Sequence, residues 1–150
     1  MAHAEASETQ REATGNGLSR QAWNITGKIA EVDAFLDAHD PGVVHESHPE
    51  LCFYGLADRP MAYGKTTERG RTVRLEVLEE VLPGARASYE TAVARHPRSE
   101  VKRDDVVDAL VLAAAACEDL VSVPGDGDAR RTGDGGREMV IHHPPSRWER

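Results

Sequence analysis

The sequence is poor in cysteine, in aromatic residues and in long apolar segments. Its two cysteines, Cys52 and Cys117, lie far apart and form no CxxC pair, which argues against a disulfide framework and a zinc site. Aromatic residues make up 5% of the chain, and no apolar run reaches the length of a membrane-spanning helix. The first ten residues are polar and acidic, unlike a signal peptide. These absences predict a soluble, cytoplasmic protein with no membrane partner.

Positive charge is scarce and unevenly distributed. The chain has 18 lysines and arginines against 26 acidic residues, and its net charge of −8 disfavours attraction of the whole protein to nucleic acid or anionic membranes. The segment 59–74, "RPMAYGKTTERGRTVR", is the exception because its charged residues are mostly basic: Arg59, Lys65, Arg69, Arg71 and Arg74, with Glu68 as the only acid. This segment predicts a patch that contacts phosphates, or else arginines on an ordinary solvated surface.

Apolar periodicity and breaker residues predict a helix-rich chain with two short strands. Residues 1–17 show no periodicity and end in the breaker "GNG", so we predict a mobile polar leader, then one domain over 18–144 and a tail over 145–150. Residues 123–136 are predicted to form a flexible loop. The predicted helices cover about 19–38, 50–56, 71–82, 87–95 and 104–120, and the predicted strands lie near 43–47 and 138–142.

These two strands do not make a stable sheet by themselves. They are short and far apart in sequence, and an isolated pair of strands is marginal without further partners. Either the fold is mostly helical, or sheet-forming sequence is missing from the chain.

The stretch "VVHESHPELCF" over 43–53 contains the first candidate site. Glu46 lies at the carboxyl end of the predicted strand, which is where α/β proteins place ligands. The alternative is that Glu46 faces solvent at a sheet edge, and the sequence leaves both open.

A second candidate site is the acidic cluster "DDVVD", which begins the last predicted helix. Asp104 and Asp105 each lie three or four residues before Asp108, so these carboxylates share a helix face. Clustered carboxylates suit Mg²⁺ or Mn²⁺, which prefer oxygen ligands. Capping and the helix dipole explain the first two acids equally well, and Asp108 is the acid they explain least.

Four segments, in this order, resemble a known family: "GLSRQAWNITGKIAEVD", "HESHPELCFYGL", "GKTTERGRTVRLEVLE" and "KRDDVVDALVLAAAA". They are similar to the domain-of-unknown-function family 429 (DUF429), predicted nucleases with a ribonuclease H-like fold. The resemblance runs from about Gly17 to Ile141. Its most specific parts are the E-x-H-P-E stretch, from Glu46 to Glu50, and the D-D-x-x-D-A-L stretch, from Asp104 to Leu110.

The resemblance implies an α/β fold with a mixed sheet and a metal-dependent nuclease activity. Its implied catalytic and metal ligands are Glu46, Asp105 and Asp108, holding Mg²⁺ or Mn²⁺ for two-metal phosphodiester hydrolysis. Nucleic acid is then the implied partner, and the implied phosphate-binding residues are Lys65, Arg69 and Arg71. His48, Glu50 and Asp104 are secondary candidates.

The chain departs from the family pattern at its amino-terminal end. The family opens with three antiparallel strands, the first of which carries an aspartate of the site, and residues 1–17 are too polar and too broken to form that strand. We therefore expect an incomplete ribonuclease H-like fold that resembles the carboxyl-terminal two-thirds of the family. A catalytically incompetent nuclease is one outcome. The alternative is a non-catalytic module that binds nucleic acid or self-assembles by covering an exposed sheet edge.

Overall fold

The computed structural model describes residues 2–39, 44–133 and 136–146, which form a helix-rich α/β chain. The chain divides into two compact units, Met1–Val44 and His45–Arg150. The described elements are six helices and two strands: α1 (His3–Thr14), α2 (Arg20–Ala38), α3 (Pro49–Ala57), α4 (Glu68–Val81), α5 (Ala85–Arg95), α6 (Arg103–Ala115), β1 (Val121–Val123) and β2 (Ile141–His143). No helix in these ranges combines the length and apolar character needed to cross a membrane.

The first unit contains α1 and α2. Within the segment 1–17, which was predicted to be a mobile polar leader, the structure has a helix, α1, over His3–Thr14. Its glutamates, alanines, glutamine and arginine favour a helix without any apolar periodicity. The helix ends at Gly15, whose φ of 78° lies in the left-handed region and whose N–H donates to the carbonyl of Arg11.

The predicted boundaries of α2 are confirmed, although none of its residues is buried. Ser19 caps the helix by accepting a hydrogen bond from the N–H of Ala22. Ile25, Ile29, Val32 and Phe35 are each about half exposed, and Leu36 is partly buried. Apolar periodicity therefore predicted this helix correctly, although it does not correspond to a buried face.

The second unit is built around α6, which contacts α3, α4 and α5. Its buried positions Val107, Val111, Ala114 and Ala115 pack into a core with Cys52 and Phe53 of α3 and with residues of α4 and α5. Cys117, which the predicted helix over 104–120 would include, lies beyond the end of α6 and is exposed. Because residues 106–116 are apolar except for Asp108, periodicity could not single out the face that packs.

The sheet is smaller than predicted and lies in part at other residues. β1 and β2 pair antiparallel, with Val121 opposite His143 and Val123 opposite Ile141. The strand predicted near 43–47 is absent from its described residues 44–47, where Ser47 forms only an isolated parallel bridge to His142, and Val43 lies outside the described residues. The C-terminal strand begins at Ile141 instead of near residue 138.

One helix end and one strand also differ from the predictions. Helix α6 ends at Ala115 and not near residue 120, and the unpredicted strand β1 covers Val121–Val123, between the predicted end of that helix and the predicted loop over 123–136. The described residues contain no larger sheet than β1–β2. The ribonuclease H-like architecture and self-association through a sheet edge stay predictions.

We expect Gly55→Ala to destabilise the second unit. Gly55 lies in α3 against the chain that follows β2, and a Cβ there would overlap the carbonyl oxygen of Pro144. Overpacking of this kind costs about 1–3 kcal/mol. The cost is measurable as a lower midpoint in thermal unfolding followed by circular dichroism.

Gly27→Ala is the matched control, because a Cβ at Gly27 in α2 meets no atom within 4 Å. Alanine favours a helix over glycine by about 1 kcal/mol, so this variant should be at least as stable as the wild type. Equal stability of Gly55→Ala and the wild type would contradict the packing described for α3.

Candidate functional site

The candidate site is organised by Arg74, a residue of α4 whose side chain is only 3% exposed. Its Nη2 donates to both carboxylate oxygens of Glu50, at 2.8 and 2.9 Å. Its Nη1 donates to the carbonyls of Tyr63, at 2.8 Å, and Gly70, at 3.1 Å. The guanidinium also lies over the ring of Phe53, 5.5 Å from its centroid. One buried cation thus connects α3, α4 and the loop between them.

The same loop is held a second time at Gly64. The hydroxyl of Thr67 donates to the Gly64 carbonyl at 2.8 Å, and accepts from the N–H of Gly70 as the N-cap of α4. Gly70 is buried against Gly64 so closely that a Cβ at Gly70 would overlap the Gly64 carbonyl oxygen. The position of Gly64 fixes where the next residue, Lys65, leaves the loop.

Lys65 forms an ion pair with α6. Its Nζ donates to Asp108 Oδ2 at 2.7 Å, with 41% of the Lys65 side chain and 17% of the Asp108 side chain exposed. This hydrogen bond raises the pKa of Lys65 above its ordinary value, against the effect of desolvation, and the charges of Asp108, Asp104 and Glu50 add to the increase. The other oxygen of Asp108, Oδ1, is buried and has no hydrogen-bond partner in the described part of the chain.

The structure gathers some of the predicted site residues and separates others. Asp108 and two secondary candidates, Asp104 and Glu50, act together on Lys65. Asp105 is exposed on α6. The i,i+4 spacing of Asp104 and Asp108 was the signal that could have selected this pair over Asp105.

Glu46 and His48 precede α3 and are both exposed. The backbone carbonyl of Glu46 accepts a hydrogen bond from the N–H of His142, at 2.7 Å, so this stretch supports the bridge to the carboxyl-terminal strand. His48 is the N-cap residue of α3, but its side chain makes no capping hydrogen bond. With Glu50, His48 lines an open groove of about 500 Å³ whose walls are mainly apolar: Leu51, Tyr54, Pro60, Met61 and Ile141.

These side chains, as arranged, do not fit the divalent metal that the resemblance implies. Within residues 2–39, 44–133 and 136–146, no three histidine, cysteine or acidic side chains come together as ligands for a metal ion. One oxygen of Asp108 already accepts from the Lys65 ammonium. The roles of Glu46, Asp105 and Asp108 as metal ligands therefore stay predictions from the resemblance.

An exposed arginine–aromatic pair lies on the same loop and the start of α4. The Arg69 guanidinium lies over the ring of Tyr63, 4.3 Å from its centroid, and Tyr63 is 37% exposed. Arg59 and Arg71 flank this pair along the chain, and in the described part of the chain neither they nor Arg69 takes part in an ion pair. The sequence analysis missed Tyr63, although an aromatic residue among arginines was visible in the segment 59–74.

Of the three predicted phosphate-binding residues, Arg69 and Arg71 keep unpaired guanidinium groups in the described structure, whereas Lys65 is bound to Asp108. The basic segment therefore has two parts with different roles. Lys65 and Arg74 hold the loop to the helices, and Arg59, Arg69 and Arg71 carry charge available to a ligand.

We expect Glu50→Ala to destabilise the protein because it leaves the buried guanidinium of Arg74 without its carboxylate. Breaking a buried ion pair costs about 3–5 kcal/mol, and the 39% exposure of Glu50 places this pair at the lower end, about 3 kcal/mol. The measurement is the free energy of unfolding in urea. Glu76→Ala, an exposed change on α4, should alter it by less than about 0.5 kcal/mol. Equal effects of the two changes would contradict the role of Arg74.

Because of the Lys65–Asp108 ion pair, we expect the folded protein to lose stability at high pH. Because the pKa of Lys65 in the folded protein is raised above 10.5, the pair contributes its full stability below that pH and loses it as the pH rises through the folded pKa. The difference in unfolding free energy between the wild type and Lys65→Met should therefore be constant from about pH 7 to 9 and decrease above about 10.5. Lys102→Met, at an exposed lysine, should show no such decrease; a pH-independent Lys65→Met difference would refute the assignment.

Comparison with known proteins identifies a family and no individual relative. The model of the family described as "Protein of unknown function (DUF429)" matches residues 1–129. No curated protein and no solved structure matches the chain. The family match begins before Gly17, where the resemblance seen in the sequence began, and it ends before β2, so α1 belongs to the matched region. Because the match covers most of the 150 residues, the chain belongs to the DUF429 family.

Proposed function

We propose that this protein binds single-stranded nucleic acid through Tyr63 and Arg69, with Arg59 and Arg71 as additional phosphate contacts. The observation that carries the proposal is the exposed pair itself, in which the Arg69 guanidinium lies 4.3 Å from the centroid of the Tyr63 ring. Aromatic rings and arginine planes are the surfaces on which unpaired bases stack, and arginine also binds phosphate. The pair therefore offers both of the contacts that a single strand needs.

The support beneath this pair makes it suitable for binding. The carbonyl of Tyr63 accepts from buried Arg74, and the close approach of Gly70 to Gly64 fixes the following turn of the loop. A stacking side chain on a fixed backbone loses less conformational freedom on binding than one on a mobile loop. Arg74 is thus a positioning residue for Tyr63.

The charge available to a ligand limits the expected affinity. Two of the five basic residues in 59–74 are neutralised internally, Lys65 by Asp108 and Arg74 by Glu50. Three arginines then remain for phosphates. For three contacts to a single strand, the logarithm of the binding constant should fall with the logarithm of salt concentration with a slope of about −2. Weak, salt-sensitive binding is consistent with the net charge of −8.

Binding without cleavage is the better supported of the two functions considered. Hydrolysis as the resemblance implies it requires Glu46, Asp105 and Asp108 to share metal ions, and the described arrangement pairs Asp108 with Lys65 and leaves Glu46 and Asp105 exposed. The Tyr63–Arg69 pair requires no such rearrangement to contact a base.

We expect Arg69→Ala and Tyr63→Ala each to weaken binding of a fluorescein-labelled single-stranded oligonucleotide about fivefold or more. The reason is that loss of a stacking contact costs about 1–3 kcal/mol. Fluorescence anisotropy at low salt measures the dissociation constant, with DNA and RNA strands of the same sequence as separate arms. Arg69→Lys keeps the charge but loses the planar group, and should lie between Arg69→Ala and the wild type.

Arg95→Ala is the matched control, because Arg95 is an exposed arginine at the end of α5, outside the basic segment. It should change the dissociation constant by less than about twofold, the size expected for loss of one distant surface charge. Failure of the wild type to bind, or equal losses from Arg95→Ala and Arg69→Ala, would contradict the proposal. Incubation of the same strands with the protein and Mg²⁺ or Mn²⁺ should leave them intact. Cleavage by the wild type that Asp108→Asn abolishes would instead favour a nuclease function.

A further inference from the structure

A small cavity lies between the end of α5 and the start of α6, outside the basic segment 59–74. We propose that this cavity binds a phosphate group, which His96, Arg98 and Arg103 hold by charge and hydrogen bonding. Its volume is about 120 Å³. Its remaining walls are apolar: Ala92, Val93, Pro97, Val101 and Val106. The proposal does not rest on the binding of nucleic acid at Tyr63 and Arg69, and either can fail without the other.

The lining of the cavity carries positive charge and no carboxylate. Among the described residues that line it, three of eight are basic and none is acidic, although Glu100, Asp104 and Asp105 lie nearby in sequence. Arg98 and Arg103 are exposed, and in the described part of the chain neither forms an ion pair. Both guanidinium groups therefore keep their N–H donors for a ligand.

The turn between α5 and α6 brings the three basic residues together. The N–H of His96 donates to the carbonyl of Ala92 at 3.0 Å, which closes the last turn of α5. Pro97 follows, and its carbonyl accepts from the N–H groups of Glu100, at 2.9 Å, and Val101, at 3.2 Å. The backbone on both sides of Pro97 is thus fixed by three hydrogen bonds, and a fixed site loses less conformational freedom when it binds a ligand.

The volume of the cavity fits a phosphate group better than a nucleobase. An apolar protein cavity of about 150 Å³ holds one benzene molecule, which has six non-hydrogen atoms. A cavity of about 120 Å³ therefore suits a group of about five such atoms, which is the number in phosphate. A nucleobase with its ring substituents is larger.

The lining residues also match the chemistry of phosphate. Arginine presents planar N–H groups that bind phosphate oxygens in pairs, and an imidazole can donate one further N–H. The apolar walls exclude water beside these groups, and charge interactions are stronger where water is excluded. A phosphate monoester carries a charge of up to about −2 at neutral pH, which Arg98 and Arg103 together would neutralise.

A titration of the ¹⁵N-labelled full chain with inorganic phosphate, at constant ionic strength, tests the proposal. We expect saturable chemical-shift changes concentrated in the backbone amides of residues 92–106. Arg98→Ala and Arg103→Ala should each raise the dissociation constant about fivefold or more, because each removes hydrogen bonds from a charged group. Ala92→Leu keeps every charge but fills the cavity, so it should abolish the binding.

Lys102→Ala is the matched control, because Lys102 directly precedes Arg103, is exposed and is not among the residues that line the cavity. It removes the same charge and should change the dissociation constant by less than about twofold. Adenosine 5′-monophosphate and adenosine distinguish the possible sources of the phosphate group. Equal binding of inorganic phosphate and the monophosphate indicates a site for free phosphate, and tighter binding of the monophosphate indicates an ester. Adenosine should not bind in either case.

Three results would each overturn the proposal: no saturable change at residues 92–106 of the wild type, binding of adenosine as tight as that of its monophosphate, or equal losses from Lys102→Ala and Arg103→Ala. Circular dichroism establishes that each variant is folded. Should Ala92→Leu not fold, Arg98→Gln/Arg103→Gln replaces it, and undiminished phosphate binding by that folded variant also decides against the proposal.

Discussion

Arg74 is buried inside the second unit, and its guanidinium is bound by Glu50 and by two backbone carbonyls. A buried charge is costly unless it is paired and hydrogen-bonded, so the surrounding chain has to keep these acceptors in place. Three parts of the chain contact Arg74 in this way: the first turn of α3 through Glu50, the loop through the Tyr63 carbonyl, and the first turn of α4 through the Gly70 carbonyl. The position of the exposed surface around Tyr63 therefore depends on a buried cation, Arg74.

A count of basic residues overstates the positive surface of this protein. The segment 59–74 contains five basic residues, but two of them form ion pairs within the fold: Arg74 with Glu50, and Lys65 with Asp108. Both are more buried than Arg69, which is exposed and lies over an aromatic ring. Within α4, Arg74 lies on the side of the helix that packs into the core, whereas Arg69 lies on an exposed side. The protein can thus be acidic overall and still present a small arginine surface.

The sequence predicted the helices far better than the site. Helices α2 and α3 begin within a residue of their predicted starts, where Ser19 caps α2 and Pro49 opens α3, because such start signals act locally. Helix α4 begins at Glu68 and not near Arg71, because the cap is Thr67, which periodicity does not detect. The small sheet was misplaced because strands of three residues carry almost no periodicity, and because their pairing depends on partners distant in sequence.

The acidic cluster shows most clearly where local reasoning ends. Asp104 and Asp108 both lie in α6, four residues apart, but this spacing indicates only the need for a cation there. A metal ion and a lysine satisfy that need equally well on paper, and the lysine that does so lies 43 residues away in sequence. Its arrival at Asp108 depends on the contact of Gly70 with Gly64 and on the burial of Arg74, which no local pattern encodes. The cation beside Asp108 is therefore decided by how the loop is held against α4, which no spacing within α6 reveals.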